Sequence, residues 1–254
     1  MTNARTAKST REKAAELRAE AAKAEAKRRN LTITGAIIAV IAVLVVSYML
    51  IRSAKDSADQ RDASTAAAAN AAPANLLNGG VLYGSSTAKV TIEMYEDFLC
   101  PACKNAETAN AAQIDQWVKD GNVKVIYKPV AILDHLSADE YSTRALNAAA
   151  AVVNSKPDAF LAFHKALFDN QPAENGPGLP DAKLVELAVA AGADKAVVEP
   201  AITGQTYKGW TAKVTDDFSK AGFNSTPTIV VNGKKIESYA PEVLKTAVDA
   251  GLEG

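Results

Sequence analysis

The only two cysteines of this 254-residue chain, Cys100 and Cys103, are two positions apart, and the sequence changes character on either side of them. Before them, Val90-Thr91-Ile92-Glu93-Met94-Tyr95 alternates and is rich in β-branched and aromatic residues, the pattern of a strand. After them, Ala111, Ile114, Trp117 and Val118 recur at helical spacing, so the pair stands where strand gives way to helix. At a helix N-terminus, unpaired backbone N–H groups and the positive end of the helix dipole stabilise a thiolate and lower the pKa of the first thiol. Pro101 suits that turn because its missing N–H would have had no intrahelical partner. A catalytic redox pair is the favoured reading. A structural zinc site would need further ligands, and the two histidines, His135 and His164, form no ligand-spaced pair. A purely structural disulfide across so short a loop would restrict the unfolded chain very little.

Upstream, three segments differ in kind. Residues 1–30 carry nine Lys/Arg against four Asp/Glu and no proline, which predicts a solvated, charged helical arm on the cytoplasmic side. Leu31 to Ile51 is a 21-residue run without a charge. As a helix it spans about 31 Å, the thickness of a bilayer's hydrocarbon core, and is expected to cross the membrane. A cleaved signal peptide would have an apolar region of about 7–15 residues with a small-residue site close behind it. Here the Ala-rich stretch around Ala66 to Ala74 lies well beyond, and no cysteine follows closely enough for a lipid anchor. Lys27-Arg28-Arg29 precedes the span, whereas Arg52 and Lys55 after it are interleaved with Asp56 and Asp59. The basic flank is expected inside, which makes this a single-pass protein of the cytoplasmic membrane with all that follows extracytoplasmic, where disulfides persist. Residues 52–75 have no apolar period and read as a flexible tether with a reach of about 25 Å.

Residues 76–254 are long enough for one well-cored domain, with 16 Lys/Arg against 22 Asp/Glu and therefore no basic footprint for nucleic acid. Val81-Leu82-Tyr83 reads as an edge strand and Val123 to Tyr127 as the strand after the cysteine helix. Helical spacing then predicts Ala138–Val153, Pro157–Phe168, Pro180–Ala191, a segment near Ala196–Ile202, and Thr206–Ala221 with a stripe of Tyr207, Trp210, Val214, Phe218 and Ala221. Asn232-Gly233 predicts a hairpin between Thr228–Val231 and Lys234–Ile236, and Pro241–Ala250 a closing helix. His164, among Phe160, Leu161, Phe163 and Leu167, reads as a core histidine.

Strand, Phe98-Leu99-Cys100-Pro101-Ala102-Cys103, helix, and far downstream Ser225-Thr226-Pro227-Thr228-Ile229-Val230 together resemble the DsbA-like thiol:disulfide oxidoreductases of the thioredoxin superfamily, from about Gly80 to the C-terminus. The resemblance implies an α/β thioredoxin fold with a helical insertion at about 137–221, preceded here by the transmembrane helix. It implies Cys100 as nucleophile, Cys103 as leaving or resolving thiol, and a cis Pro227 opposite the pair. Pro101, Ala102, Thr226 and Pro227 would bind the substrate chain. No cofactor beyond the Cys100–Cys103 disulfide and no metal are implied. The implied partners are exported cysteine-containing proteins and an integral membrane, quinone-linked redox partner. Oxidation of exported proteins is the favoured direction; isomerisation or reduction is the alternative, and a non-catalytic chaperone a more distant one.

Two departures from the family pattern bear on mechanism. Many relatives carry a buried carboxylate six residues before the first cysteine, where this chain has Met94. Glu93 is on the opposite strand face and would serve only with a one-residue register difference; Glu96 or Asp97 is the other substitute, though both read more simply as solvated acids at a strand end. Ala102, where the strongest oxidant of the family has histidine, offers no side-chain donor to a Cys100 thiolate. The expected Cys100 pKa is therefore roughly 5–7, between the values of about 3.5 for DsbA and 7 for thioredoxin.

Overall fold

A computed structural model describes residues 72–254, together with Met49 and Arg52. The predicted arm (1–30), membrane span (31–51) and nearly all of the tether (52–75) lie outside the described residues. Among the described residues no helix is long and apolar enough to cross a membrane. Pro73, in the last part of the stretch read as tether, is buried, near Leu76, Val81 and Trp210.

Five strands form one mixed sheet in the order β1-β3-β2-β4-β5: β1 (Val81–Tyr83), β2 (Val90–Glu96), β3 (Val123–Pro129), β4 (Thr228–Val231) and β5 (Lys234–Lys235). β2 and β3 are parallel, with Ile92 opposite Val125 and Met94 opposite Tyr127. β1 runs antiparallel to β3, and β4 antiparallel to β2. The pleat sends alternate residues to opposite faces, so Val90, Ile92, Met94 and Glu96 share one fully buried face of β2, while Glu93 and Tyr95 point the other way. At the hairpin, Asn232 and Gly233 both have positive φ (48° and 79°), as a two-residue turn between strands of native twist requires.

The parallel pair β2–β3 needs a crossover, and α1 (Pro101–Lys119) supplies it. Its inward stripe is Cys103, Ala106, Asn110 and Ile114, with Trp117 and Val118 half-buried. Ala111, expected on that stripe, is exposed, and the polar Asn110 is buried instead. Asn110 is tolerated there because its amide donates to the carbonyls of Ala106 (2.8 Å) and Tyr239 (2.9 Å).

The helical insertion contains α2 (Tyr141–Ser155), α3 (Phe160–Asp169), α4 (Asp181–Ala190), α5 (Lys195–Thr203) and α6 (Lys208–Lys220), each within a few residues of its predicted bounds. Alanine-rich α2 is buried from Tyr141 to Val153, its small side chains letting neighbouring helices approach. Arg144 anchors the block, its guanidinium binding Asp139 (2.6 Å), Asp181 (2.7 Å) and the Leu179 carbonyl (2.8 Å). Gly178 makes a close approach there: a Cβ would sit 2.5 Å from Tyr141 ring atoms. On α6 the predicted stripe holds at Tyr207, Trp210 and Phe218, but Ala221 is exposed. α7 (Pro241–Glu253) closes the chain and buries Leu244 and Val248.

Candidate active site

The end of β2 and the start of α1 carry the chemistry. Cys100 is the N-cap of α1, with extended backbone (φ −74°, ψ 116°), and Pro101 occupies the first helical turn. Both thiols are free; Cys103 is fully buried and Cys100 is 6% exposed. The cis peptide Thr226–Pro227 stands opposite, where the Cys100 thiol donates to the Thr226 carbonyl at 3.4 Å. Pro101 is exposed, and Ala102, Thr226 and Pro227 are half-buried. All six residues singled out in the sequence therefore meet at one place.

Electrostatics separate the two thiols. Cys100 is drawn down from 9.0 to about 6, chiefly by a hydrogen bond from Cys103. Burial opposes the shift, while the Thr226 side chain and the backbone N–H groups of Cys103 and Ala102 assist it. Cys103 goes the other way, pushed well up by burial first and then by its hydrogen bond to Cys100 and the charge of Glu96. One sulfur is thus poised as a thiolate near neutral pH and the other as a more deeply buried thiol that releases its proton with difficulty.

The acids at the strand end are not solvated. Glu96 and Asp97 are both fully buried. Asp97 accepts from Leu99 N–H (2.9 Å), Ile132 N–H (2.9 Å), Leu133 N–H (3.0 Å) and the Ser142 hydroxyl (2.6 Å), tying the redox loop to the segment after β3 and to α2. Burial outweighs these bonds and raises its pKa to about 6. Glu96 shares Met94's face two residues nearer the cysteines, and burial raises it to about 8. Glu93 does not substitute for it, because it pairs with Lys128 on the other face of the sheet. The carboxylate missing at position 94 is thus present one pleat repeat later on the same face. The period of two puts Glu96, one of the two substitutes the sequence offers, on that face; the expectation that it is solvated is corrected by its full burial.

His164 is a core histidine in burial but not in isolation. It is 2% exposed, ringed by Phe98, Tyr127, Phe160 and Phe168, and its Nε2 lies 2.8 Å from Glu96 Oε2. Burial lowers its pKa, with Glu107 opposing. Gln171, just beyond α3, donates through its Nε2 to the carbonyls of both Phe98 and Cys100 at 3.0 Å. Nothing local in the sequence marks Gln171 or Ser142, since their roles arise only where the insertion folds back on the loop.

Comparison with known proteins agrees with this geometry. A thioredoxin family model matches residues 77–250. The oxidised structure of DsbA from Mycobacterium tuberculosis is 35% identical, with a TM-score of 0.60, covering 69% of this chain and 93% of that one. The oxidised structure of BdbD from Bacillus subtilis is 25% identical, with a TM-score of 0.64, covering 72% and 98% respectively. The serine/threonine-protein kinase PknE of Mycobacterium tuberculosis is 34% identical over 171 residues, which are 65% of this chain but only 30% of the kinase.

Proposed function

Since the chain belongs to the thioredoxin family, in its DsbA-like branch, we propose that it is a protein thiol:disulfide oxidoreductase that oxidises cysteine pairs of exported proteins at Cys100–Cys103. The observation that carries this reading is the opposed tuning of the two thiols: Cys100, at the start of α1 and facing the Thr226 carbonyl, drawn down to about 6, and the fully buried Cys103 behind it pushed up. A substrate thiolate attacks Cys100 Sγ of the disulfide, the electron pair leaves on Cys103, and a mixed disulfide forms. A second substrate thiolate then attacks the substrate sulfur and expels Cys100 as its stabilised thiolate. The net change is one substrate disulfide gained and the enzyme dithiol formed. Stabilising the Cys100 thiolate favours that reduced enzyme and makes the disulfide an oxidant.

The extended substrate segment lies along Thr226-Pro227 and over Pro101 and Ala102, adding as a strand to the exposed backbone. The domain works outside the cytoplasmic membrane, tethered by residues 31–51, and an integral membrane quinone-linked protein reoxidises it. The uncharged run and its basic flank support this placement. The oxidised full-length protein should refold a reduced, denatured disulfide protein to its active form, and thiol trapping in cells should find Cys100 and Cys103 mainly oxidised. A mainly reduced pair would instead place the protein on an isomerase or reductase path. Protease added to intact spheroplasts should remove the catalytic domain, whereas digestion only after lysis would reverse the topology.

A further inference from the structure

Three ligating side chains converge, each brought by a different element: Glu96 from the end of β2, Glu107 from α1 and His164 from α3. Each offers one donor atom, and the three atoms lie within 4.8 Å of one another. Glu96 Oε2 meets His164 Nε2 at 2.8 Å, while Glu107 Oε2 stands 3.7 Å from His164 Nδ1, beyond hydrogen-bond reach. Glu96 is fully buried, His164 is 2% exposed, and the Glu107 side chain is 17% exposed. No ligand spacing marks these residues in the sequence, because strand, helix and insertion each contribute one.

Two carboxyl groups are costly to bury together without a counter-charge. Among the described residues, the ion-pair contacts of both acids are to His164 alone. Oε1 of the fully buried Glu96 and Oε1 of Glu107 are both buried with no hydrogen-bond partner. Buried polar oxygens are normally satisfied, so a pair of them around one imidazole points to something further that binds there. Glu107 and His164 also line a cavity of about 630 Å3 between α1 and α3, which gives water and small ions access to the cluster. The cavity's Lys165 does not supply the missing charge, since it is paired with Asp169 at 2.6 Å.

We propose that Glu96, Glu107 and His164 bind one divalent transition-metal ion such as Zn2+, with a remaining coordination position open to water in the cavity. Imidazole among the donors favours zinc over calcium or magnesium, which take shells of oxygen. Metal–ligand distances of about 2.0–2.2 Å put the ligands of a tetrahedral ion about 3.4 Å apart, so side-chain movements of about 1 Å close the three donors on it. The two carboxylates match its two charges. The cysteines lie outside the donor set, and no step of disulfide exchange runs through the ion. Its effect is to join the strand before the redox turn, the helix after it and the insertion, three elements that hydrogen bonds alone connect incompletely at this point.

The test uses the untagged full-length protein in detergent micelles, oxidised so that both thiols are held in the Cys100–Cys103 disulfide and bind no metal. After treatment with a chelator and its removal, Zn2+ is titrated at pH 7.5 in competition with a chromophoric zinc indicator. One equivalent should bind saturably, and a 100-fold excess of Mg2+ should not displace it. Loss of a partner outside the ligand shell already costs about 10–100-fold in metal affinity, so Glu107→Gln and His164→Gln should each weaken binding by about 100-fold or more. His135→Gln, at the exposed second histidine, should keep the wild-type affinity. Saturating Zn2+ should also raise the urea midpoint of the wild type and leave that of Glu107→Gln unmoved. The site is overturned by no saturable binding to the wild type, or by wild-type affinity in both site variants. Loss of binding in His135→Gln would place the ion on the surface and overturn it equally. Should His164→Gln fail to fold, Glu107→Gln decides alone. No disulfide exchange enters the measurement, so its outcome is independent of the oxidoreductase reading.

Discussion

Gln171 holds Cys100 from behind: its side-chain amide donates at 3.0 Å to the Cys100 carbonyl and equally to that of Phe98. The Cys100 carbonyl also receives the first helical N–H groups, from Cys103 at 3.1 Å and Lys104 at 3.3 Å. The redox turn is therefore fixed by the insertion as well as by its own helix. Gln171→Ala removes two part-buried hydrogen bonds and should lower the unfolding free energy by about 1–3 kcal/mol, read from urea denaturation of the oxidised protein. A change within 0.3 kcal/mol would mean that the turn holds itself.

Cys103 is the largest single cause of the low Cys100 pKa. Replacing it by alanine should accordingly move the Cys100 midpoint above about 6, measured as the pH dependence of alkylation rate or of thiolate absorbance. The same variant should accumulate mixed disulfides with substrate, because the resolving thiol is gone, whereas Cys100→Ala should trap few. Equal trapping by both, or an unmoved midpoint, would reverse the assigned roles.

Asp97 accepts four hydrogen bonds in a fully buried position. Asp97→Ala leaves three backbone N–H groups without their acceptor and should cost about 3 kcal/mol or more. Ser142→Ala removes one donor and should cost about 1 kcal/mol. A double-mutant cycle between them should show clear coupling; simple additivity would show that Ser142 does not act through Asp97.

Glu96 makes stability fall with rising pH. Its folded pKa of about 8 lies above the ordinary 4.5 of the unfolded chain, because burial disfavours the carboxylate. Its contribution is fully present below about pH 4.5 and is lost as pH rises through about 8. In the oxidised protein, which lacks the Cys100 charge that adds to the effect of burial, the stability difference between wild type and Glu96→Gln should still shift against the wild type as pH rises above 4.5, the shift ending below about 8. A difference independent of pH would show that Glu96 is ionised in the folded state.

Much of this protein is legible in local pattern. Strand alternation before Cys100, Pro101 in the first helical turn, the Asn232-Gly233 turn and the helical periods of the insertion depend on neighbours within a few residues, and each element formed where that pattern placed it. The resemblance carried by the cysteine spacing and Thr226-Pro227 named the pair and its neighbours, and the fold brings Cys100 against Thr226. Local pattern failed wherever an ionisable group's surroundings come from distant elements. Glu96 and Asp97 look like strand-end acids until α2, α3 and the segment after β3 cover them, and His164 looks like filler until Glu96 is found beneath it. Whether a carboxyl is a solvated charge or a buried acid depends on what is packed over it. Here those covering groups stand 35, 45 and 68 residues away along the chain, so only the tertiary structure could decide it.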